Sequence, residues 1–241
     1  MDDYLRECDV SVIVLAGGTG RRFGSSPVPK LLMNLNGKPL IAHTLETALS
    51  LEFVQEIAIV CHPSISQHVD KIVAEAKRAT THPVDKVALC EGGDSRTASV
   101  GCGLKYTTGR RVMIHDGDRP LASKALYHRV LSALKPGTGV VPVMSPTDTV
   151  IQENHEGRSV SYLPRNQVLL AQTPQAFITK EYRAAHEKMQ SLNGHYADDG
   201  SVFAGNGGNL HTVPGERSNV KVTFPVDVSI VEFYLDAMKD E

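Results

Sequence analysis

The sequence predicts an α/β protein built on a mostly parallel, twisted sheet. Apolar, strand-like runs alternate with segments of helical periodicity over the first 144 residues, and several of the runs end in glycine or aspartate turns. This alternation is typical of a parallel sheet covered by helices on both faces. The length of 241 residues suits one large α/β domain or two small ones. We expect a single domain over residues 1–241.

Composition excludes several classes of function. The hydrophobic content of 41%, the charged content of 22% and the net charge of −2 are ordinary for a globular protein. They give no electrostatic reason to expect nucleic acid or an anionic membrane as the main partner. No apolar run approaches the roughly 20 residues that span a bilayer, and the charged first residues do not resemble a signal peptide. The four cysteines form no CxxC pair, so we expect reduced thiols in a cytoplasmic protein.

The first strand leads into the most informative stretch of the chain. Residues 12–16 form an apolar run typical of a buried parallel strand. The glycines that follow it are Gly17, Gly18 and Gly20, and the next cations are Arg21, Arg22 and Lys30. Glycines let a backbone approach a ligand closely, and the N–H groups of such a turn can cradle an anion. The sequence therefore predicts a polyphosphate ligand.

This glycine turn is neither of the two common phosphate-binding motifs. A Walker loop ends in Gly-Lys-Ser/Thr, which is missing here. The dinucleotide fingerprint has two residues between its last two glycines, whereas three separate Gly20 from Gly24. No acid closes the next strand at residues 60–62. An ordinary strand-to-helix turn with a solvated basic rim is the other interpretation.

The following elements continue the alternation. Strands are predicted at residues 56–61, 86–90, 111–115 and 140–144, and helices at 40–50, 65–76, 97–106 and 123–134. We expect Ser64 to cap the second helix. Two strands end in further polar turns, at residues 91–96 and 116–119. Because ligands bind at the carboxyl ends of strands in such sheets, these two turns and the first glycine turn are expected to converge.

The pattern changes after residue 144. Residues 149–151 and 159–163 flank a polar turn and predict a β-hairpin. An isolated hairpin is marginally stable in water, so we expect it to project and pair with a second subunit. The alternative is a hairpin folded flat on its own domain. Later elements are predicted as helices near 179–191 and 201, strands at 209–214 and 219–223, and a last helix opened by Pro225.

Several motifs occur together in a recognisable order. They are Leu15-Ala16-Gly17-Gly18-Thr19-Gly20-Arg21-Arg22, Pro29-Lys30, Gly92-Gly93 with Arg96 and Ser99, His115-Asp116 with Arg119-Pro120, Asp148-Thr149, Arg165-Asn166, Gln172-Thr173-Pro174-Gln175 and Asn219-Val220-Lys221. From about residue 11 to residue 235 the chain resembles the cytidylyltransferases that couple CTP to a polyol phosphate. The resemblance implies a three-layer, Rossmann-like nucleotidyltransferase fold with a projecting β-hairpin arm at about 145–170.

The resemblance also implies roles on the nucleotide side. The residues expected to wrap the CTP phosphates are Ala16, Gly17, Gly18 and Gly20. Gly92 and Ser99 are expected to help hold the cytosine and its sugar. Arg22 and Lys30 would be the catalytic residues, because they would neutralise charge that develops at the α-phosphate. Asp116 would lie beside the phosphates and bind Mg²⁺.

On the acceptor side the resemblance implies contacts to the polyol phosphate. The residues expected to make them are Arg119, Thr173 and Lys221. Thr149 and Arg165 belong to the arm, which in the family crosses a homodimer interface and completes the partner's site. The reaction is attack of the acceptor phosphate on the α-phosphorus of CTP with loss of pyrophosphate. Two anions must be brought together, so cations and alignment are needed more than a base.

The sequence has features of two branches of this family. Ala197 stands where a threonine usually precedes the acid, and that hydroxyl would help hold the polyol. The order Arg165-Asn166 favours methylerythritol phosphate, whereas Val150 with Ile151 favours ribitol phosphate. We expect the methylerythritol enzyme of isoprenoid synthesis, with the ribitol enzyme of wall-polymer synthesis as the alternative. Another sugar-phosphate or molybdopterin nucleotidyltransferase and an inactive nucleotide-binding module are the remaining rivals.

Four acidic or basic residues keep a structural alternative. Asp118 could pair with Arg119 instead of touching a ligand. Asp198 and Asp199 could cap a helix rather than form part of a site. His115 is interpreted as a core or strand-end histidine rather than a catalyst.

Overall fold

A computed structural model describes residues 9–18, 23, 28–80, 84, 86–153, 160–191 and 196–239. The strands in these ranges are β1 (Val10–Ala16), β2 (Asn34–Leu35), β3 (Lys38–Pro39), β4 (Val54–Cys61), β5 (Lys86–Glu91), β6 (Arg111–Asp116), β7 (Thr138–Met144), β8 (Val150–Glu153), β9 (Val160–Leu163), β10 (Leu170–Ala171), β11 (Gln175–Ile178) and β12 (Asn209–Pro214). The helices are α1 (Leu40–Leu49), α2 (Pro63–Ala79), α3 (Arg96–Leu104), α4 (Lys124–Ser132), α5 (Thr179–Ser191), α6 (Asp199–Gly205) and α7 (Pro225–Ala237).

The predicted mostly parallel sheet is confirmed. β1 lies between β4 and β6 and is parallel to both, and β5 extends the parallel set beyond β4. On the other side, β12 runs parallel to β7. The sequence did not indicate β10 and β11, which pair antiparallel with their neighbours. β11 reaches β6 because the chain returns from the arm and enters the sheet between β6 and β7.

Helices cover both faces of the sheet, as the alternation of elements predicted. Val12 and Val14 of β1 pack into one apolar cluster with residues of α1, α2, α4 and α7. Ile13 points to the opposite face and packs with residues of α3, α5 and α6. Each such fully buried side chain contributes roughly 1.5–3 kcal/mol through burial. None of the helices within the described ranges has the length and apolarity needed to cross a bilayer.

The start of α2 differs from the prediction. His62 is the capping residue, and its Nδ1 accepts a hydrogen bond from the Ser64 N–H at 3.2 Å. Ser64 therefore lies inside the first turn and does not cap the helix. Pro63 occupies the first helical position, where its fixed φ is favourable and its missing N–H costs nothing. This proline places the cap at residue 62.

The strand predicted at residues 219–223 does not form. The alternation of Val220 and Val222 suggested it, but the backbone here is held by turns and by single bonds to other segments. The Asn219 N–H donates to the carbonyl of Glu216, and the Val222 N–H donates to the carbonyl of Asp118 at 2.9 Å. The segment therefore packs beside the end of β6 and joins no sheet in the described part of the chain.

The predicted hairpin is confirmed in its two strands. β8 and β9 pair antiparallel, with Ile151 opposite Tyr162, while the turn at residues 154–159 lies outside the described residues. The register places Ile151, Tyr162 and Val160 on one face of the hairpin. Their exposures are 54%, 73% and 53%. The arm thus carries an apolar face that the described part of its own chain leaves exposed.

Candidate active site

The three turns predicted to converge do meet, around a cleft of about 720 Å³. The cleft lies at the carboxyl ends of β1, β4, β5 and β6. Gly17 and Gly18 come from the end of β1, residues 91–96 from the end of β5, and Asp116 with Asp118 from the end of β6. Lys30 and Lys221 line the cleft from outside these turns.

Glycines form one wall of the cleft because two turns touch there. A Cβ added to Gly17 would lie 3.9 Å from both the Cα of Gly92 and the Oγ of Ser99. A Cβ added to Gly92 would lie 3.0 Å from Ser99 Oγ. The Gly93 N–H donates to the same hydroxyl at 3.2 Å. Ser99 therefore ties the second turn to α3, and side chains at the glycines would narrow the space beside it. Ala16 is the last residue of β1 and is buried.

Asp116 is the anionic centre of the cleft. Its Oδ2 accepts from Lys221 Nζ at 2.8 Å and from Arg119 Nε at 3.4 Å, and its Oδ1 accepts from Arg96 Nη2 at 3.3 Å. Burial alone would raise the pKa of Asp116, but the charges of Lys221, Arg96 and Arg119 outweigh burial and hold the pKa well below its usual range. Asp116 is therefore ionised at neutral pH and forms ion pairs with three cationic side chains.

Lys30 reaches the cleft from a short 3-10 turn, Lys30–Leu32. Its Nζ donates to Asp118 Oδ2 at 2.5 Å and to the carbonyl of Val222 at 2.7 Å. Asp118 thus pairs with Lys30, not with Arg119 as one interpretation of the sequence held. Lys221 Nζ lies 3.9 Å from Asp118 Oδ1. The two carboxylates and the two lysines form one connected set of charges at the cleft.

Thr173 lies beneath the cleft floor in this structure. It is buried, and its Oγ1 accepts from the Asp116 N–H at 3.0 Å and bonds to His115 Nδ1 at 2.9 Å. His115 Nε2 lies 3.2 Å from the carbonyl of Arg119, which can only accept, so the proton is assigned to Nε2 and Nδ1 accepts from Thr173. Burial lowers the pKa of His115 to about 4, so the ring is neutral. The interpretation of His115 as a buried histidine is confirmed, whereas a contact of Thr173 with the polyol phosphate stays a prediction.

Two buried amides hold the segment that carries Lys221. Gln172 Nε2 donates to the carbonyl of Glu216 at 2.8 Å, and its Oε1 accepts from the Glu216 N–H at 3.0 Å. Asn219 Nδ2 donates to the carbonyl of Thr173 at 2.9 Å. Arg119 Nη1 donates to the carbonyl of Asn219 at 2.9 Å. Gln172 and Asn219 belong to motifs that are visible in the sequence, but the sequence does not indicate this role for them.

A second buried carboxylate stands behind Arg96. Asp199 Oδ2 accepts from Arg96 Nη2 at 2.7 Å, and its Oδ1 accepts from the Tyr182 hydroxyl at 2.7 Å. Asp198 has a different part, because its side chain accepts from the Ser201 N–H and caps α6. The capping alternative is therefore confirmed for Asp198 and wrong for Asp199. The sequence offered no local indication of the pairing between Arg96 and Asp199.

Five predicted site residues within the described part of the chain do not line this cleft: Ala16, Arg119, Thr149, Arg165 and Thr173. Thr149 and Arg165 are exposed on the arm, where Arg165 Nη1 donates to the carbonyl of Thr147 at 3.0 Å. Gly20 and Arg22 lie outside the described residues, as does Arg21. The roles predicted for these residues stay predictions.

The donor set suits Mg²⁺ that is bound mainly through a substrate. Within the described residues, no group of three or more His, Cys, Asp or Glu side chains could hold a metal ion by itself. Mg²⁺ usually takes one or two carboxylates and completes its shell with waters and substrate phosphates. Asp116 is ionised and lines the cleft beside Asp118. The residues present therefore fit a metal that arrives with a phosphate ligand.

Comparison with known proteins agrees with this geometry. Residues 10–237 match the family model described as IspD, 2-C-methyl-D-erythritol 4-phosphate cytidylyltransferase. A protein of that name from Thermosynechococcus vestitus is 34% identical over 232 residues, which are 95% of this chain and 97% of the relative. A bifunctional enzyme IspD/IspF from Bartonella bacilliformis is 32% identical over 94% of this chain, and the chain spans 56% of that relative's length.

The fold has close counterparts among solved structures. A 4-diphosphocytidyl-2C-methyl-D-erythritol synthase from Anaerococcus prevotii superposes with a TM-score of 0.81 at 27% sequence identity. The match covers 94% of this chain and 98% of that structure. The predicted Rossmann-like nucleotidyltransferase fold is confirmed.

Proposed function

The chain belongs to the IspD family of 2-C-methyl-D-erythritol 4-phosphate cytidylyltransferases, and on that premise we propose the same reaction for it. The enzyme transfers the cytidylyl group of CTP to 2-C-methyl-D-erythritol 4-phosphate in isoprenoid precursor synthesis. The observation that carries the proposal is the concentration of cations at the glycine-walled cleft. Lys30, Arg96, Arg119 and Lys221 all hydrogen-bond to Asp116 or Asp118, the two carboxylates that line the cleft.

The chemistry follows from charge. An oxygen of the acceptor phosphate forms a bond to the α-phosphorus of CTP, and the bond from that phosphorus to pyrophosphate breaks. The nucleophile is already an anion, so the barrier comes from repulsion and alignment. Lys30 and Lys221 lie where they can exchange their carboxylate partners for phosphate oxygens. Mg²⁺ held through Asp116 would supply further neutralisation of phosphate charge.

The glycine turns would hold the triphosphate and the nucleoside. Gly17 and Gly18, with Ala16 behind them, present backbone to one side of the cleft. Gly92 and Ser99 form the adjoining wall, where the cytosine and ribose are proposed to lie. Arg22 would be a second catalytic cation, because it matches the family motif.

We also propose a homodimer formed through the arm at about 145–170. The apolar face of β8 and β9 is exposed. Thr149 and Arg165 are exposed on the arm and do not line the cleft of their own chain. A partner would bury that face and receive these two residues at its polyol-phosphate site. Burying such side chains contributes roughly 25 cal/mol per Å² of apolar surface.

Hybrid dimers test the arm directly. If the arm crosses subunits, each active site uses Lys30 of one chain and Arg165 of the other. Lys30→Ala and Arg165→Ala then remove residues that come from different chains. Mixing the two inactive variants should then restore part of the activity, because some hybrid dimers contain one intact site. Subunit exchange is checked with differently tagged chains. Exchange without any recovered activity would place Arg165 in its own chain's site.

We also propose a cytoplasmic location for the protein. The described cysteines are Cys61, Cys90 and Cys102, and all three are free thiols. Burial raises the pKa of Cys90, with smaller contributions from Cys102 and Cys61, to about 11, so this thiol is protonated and unreactive at neutral pH. Free thiols are usual in a reducing compartment.

One assay tests the reaction and its acceptor. Purified protein with CTP and Mg²⁺ is offered 2-C-methyl-D-erythritol 4-phosphate and D-ribitol 5-phosphate in parallel, and pyrophosphate release is measured. We expect release with the methylerythritol substrate, which the names of the relatives favour over ribitol phosphate. A panel with UTP and GTP checks the nucleotide. Preference for another nucleotide, or release with ribitol phosphate alone, would contradict the proposal.

A further inference from the structure

The side chain of Arg96 is shared between two carboxylates on opposite sides. Arg96 opens α3 and lines the cleft, and its Nη2 lies 2.7 Å from Asp199 Oδ2 and 3.3 Å from Asp116 Oδ1. The shorter contact is to the carboxylate farther from the ligand space, since Asp116 lines the cleft and Asp199 does not. Arg96 is therefore held back from full pairing with Asp116.

Asp199 is itself fixed by its surroundings. It is 1% exposed, and its second oxygen accepts from the Tyr182 hydroxyl. Tyr182 is fully buried and stacks on Phe177 of β11 with ring centroids 4.5 Å apart. A carboxylate buried this deeply is stable as an anion only with charged or hydrogen-bonding partners. Tyr182 and Arg96 supply them, so neither oxygen of Asp199 is free to turn elsewhere.

The guanidinium keeps donors for a ligand. Within the described residues, both carboxylate bonds of Arg96 use Nη2, and no protein atom accepts from Nη1 or Nε. Arg96 is 29% exposed at the cleft. A planar guanidinium anchored at one nitrogen presents its remaining N–H groups in a fixed direction, which suits phosphate or carbonyl oxygens of a bound nucleotide.

We propose that Asp199, supported by Tyr182, is a positioning residue for the cytidylyl transfer. It anchors Arg96 so that the guanidinium faces the nucleotide and Asp116 is left partly available to the metal that would bind with the phosphates. The proposal rests on the proposed function. Without the anchor, Arg96 collapses onto Asp116, the nearest remaining carboxylate, and both groups are withdrawn from the ligand.

The main test is Asp199→Asn, measured in two backgrounds. In the otherwise native chain we expect kcat/KM for CTP to fall about 10- to 100-fold, the scale of a misplaced contact in a site. In an Arg96→Gln background the same substitution should cause no further loss, because its effect passes through Arg96. Equal losses in both backgrounds would overturn the proposal, since they would show that Asp199 supports the fold instead.

Asp198→Asn is the matched control. It makes the same chemical change one residue earlier, where asparagine can still cap α6. We expect its kcat/KM to equal that of the native chain. If Asp198→Asn were as damaging as Asp199→Asn, the position of α6 and not the anchoring of Arg96 would be responsible, and the proposal would fail.

Tyr182→Phe provides a milder variant. It removes only the hydroxyl that holds Asp199, so we expect a smaller loss that again disappears in the Arg96→Gln background. Thermal unfolding of every variant shows which ones are folded. If Asp199→Asn does not fold, Tyr182→Phe decides, and native activity in that variant would overturn the proposal.

The same variants separate this proposal from the proposed function. Absence of pyrophosphate release by the native chain with either polyol phosphate would contradict the proposed function alone. The dissociation constants for CTP, measured by titration calorimetry without acceptor, would then decide the role of Asp199. Weaker CTP binding by Asp199→Asn that depends on Arg96 supports the anchor, and unchanged binding overturns it.

Discussion

Two buried carboxylates at opposite ends of the sheet have similar burial and different surroundings. Asp116 ends β6 at the cleft and is 7% exposed, whereas Glu56 lies near the start of β4 and is 3% exposed. Three cations contact Asp116. Glu56 instead accepts from the hydroxyl of Ser11 at 2.5 Å and from the N–H groups of Thr108 and Gly109.

Both groups have a lowered pKa for different reasons. Burial alone would raise the pKa of Glu56, but hydrogen bonds from Ser11, Thr108 and Gly109 lower it. At Asp116 positive charges have that effect. Neutral donors, the Ser11 hydroxyl and two backbone N–H groups, stabilise the Glu56 carboxylate. The cationic side chains around Asp116 can also bind an arriving anion. Glu56 is therefore a structural carboxylate, whereas Asp116 is a functional one.

The largest expected effect is at the cleft end. Asp116→Asn should lower turnover by about 10²–10³, because it removes a preorganised charge beside the reacting phosphates. The protein should remain folded, which its unfolding transition checks. Native turnover in this variant would contradict the assignment of Asp116 to the site.

Lys30 offers the next test, with Lys38 as its control. Lys30→Ala should lower turnover by about 10², since it removes a cation from the cleft. Lys38 pairs with Glu46 in an exposed ion pair, and such pairs contribute little. Lys38→Ala should therefore have native turnover. Similar rates for both variants, measured by pyrophosphate release, would refute the catalytic role of Lys30.

His115 makes the cleft floor sensitive to acid. Its folded pKa of about 4 lies below the ordinary 6.5. The unfolded chain therefore binds a proton first as the pH falls, so stability is full above the ordinary pKa and declines towards the folded pKa. The loss is at most about 3 kcal/mol. Urea unfolding over this pH window and the ring resonances of His115 measure it, and a ring that titrates near its ordinary pKa would contradict the neutral assignment.

The smallest effect is expected at the other end of the sheet. Glu56→Gln should cost about 2 kcal/mol of unfolding free energy, because it weakens hydrogen bonds to a charged acceptor. Turnover should stay native. Because the folded pKa of Glu56 is lowered, its stabilisation is present above its ordinary pKa of 4.5 and is lost as the pH falls through the folded pKa. Urea unfolding should therefore show the two proteins converging in acid, and a large loss of turnover would remove the contrast with Asp116.

The sequence predicted what depends on local pattern. The buried run of β1, the glycine turns and the arm have periodicity or turn chemistry that can be seen in the chain. The missed features are pairings between distant residues. Arg96 and Asp199 are 103 residues apart, and Gln172 and Asn219 are 47 apart. Burial and geometry select such partners, and no local rule identifies them.

The strand that was wrongly predicted and a strand that was not predicted have the same explanation. The segment at residues 219–223 has strand-like alternation, but its backbone bonds are taken by turns and by Asp118. Similarly, β11 is short, and it forms a strand because it lies between β6 and β7 and pairs with both of them. Tertiary context decides both cases over local propensity.

The central claim is that the cations around Asp116 and Asp118 serve a triphosphate, and a crystal structure with CTP bound tests it most directly. We expect the triphosphate in the cleft beside Gly17 and Gly18, with Lys30 or Lys221 moved from its carboxylate to a phosphate oxygen. CTP bound elsewhere, with the ion pairs of both lysines intact, would contradict it.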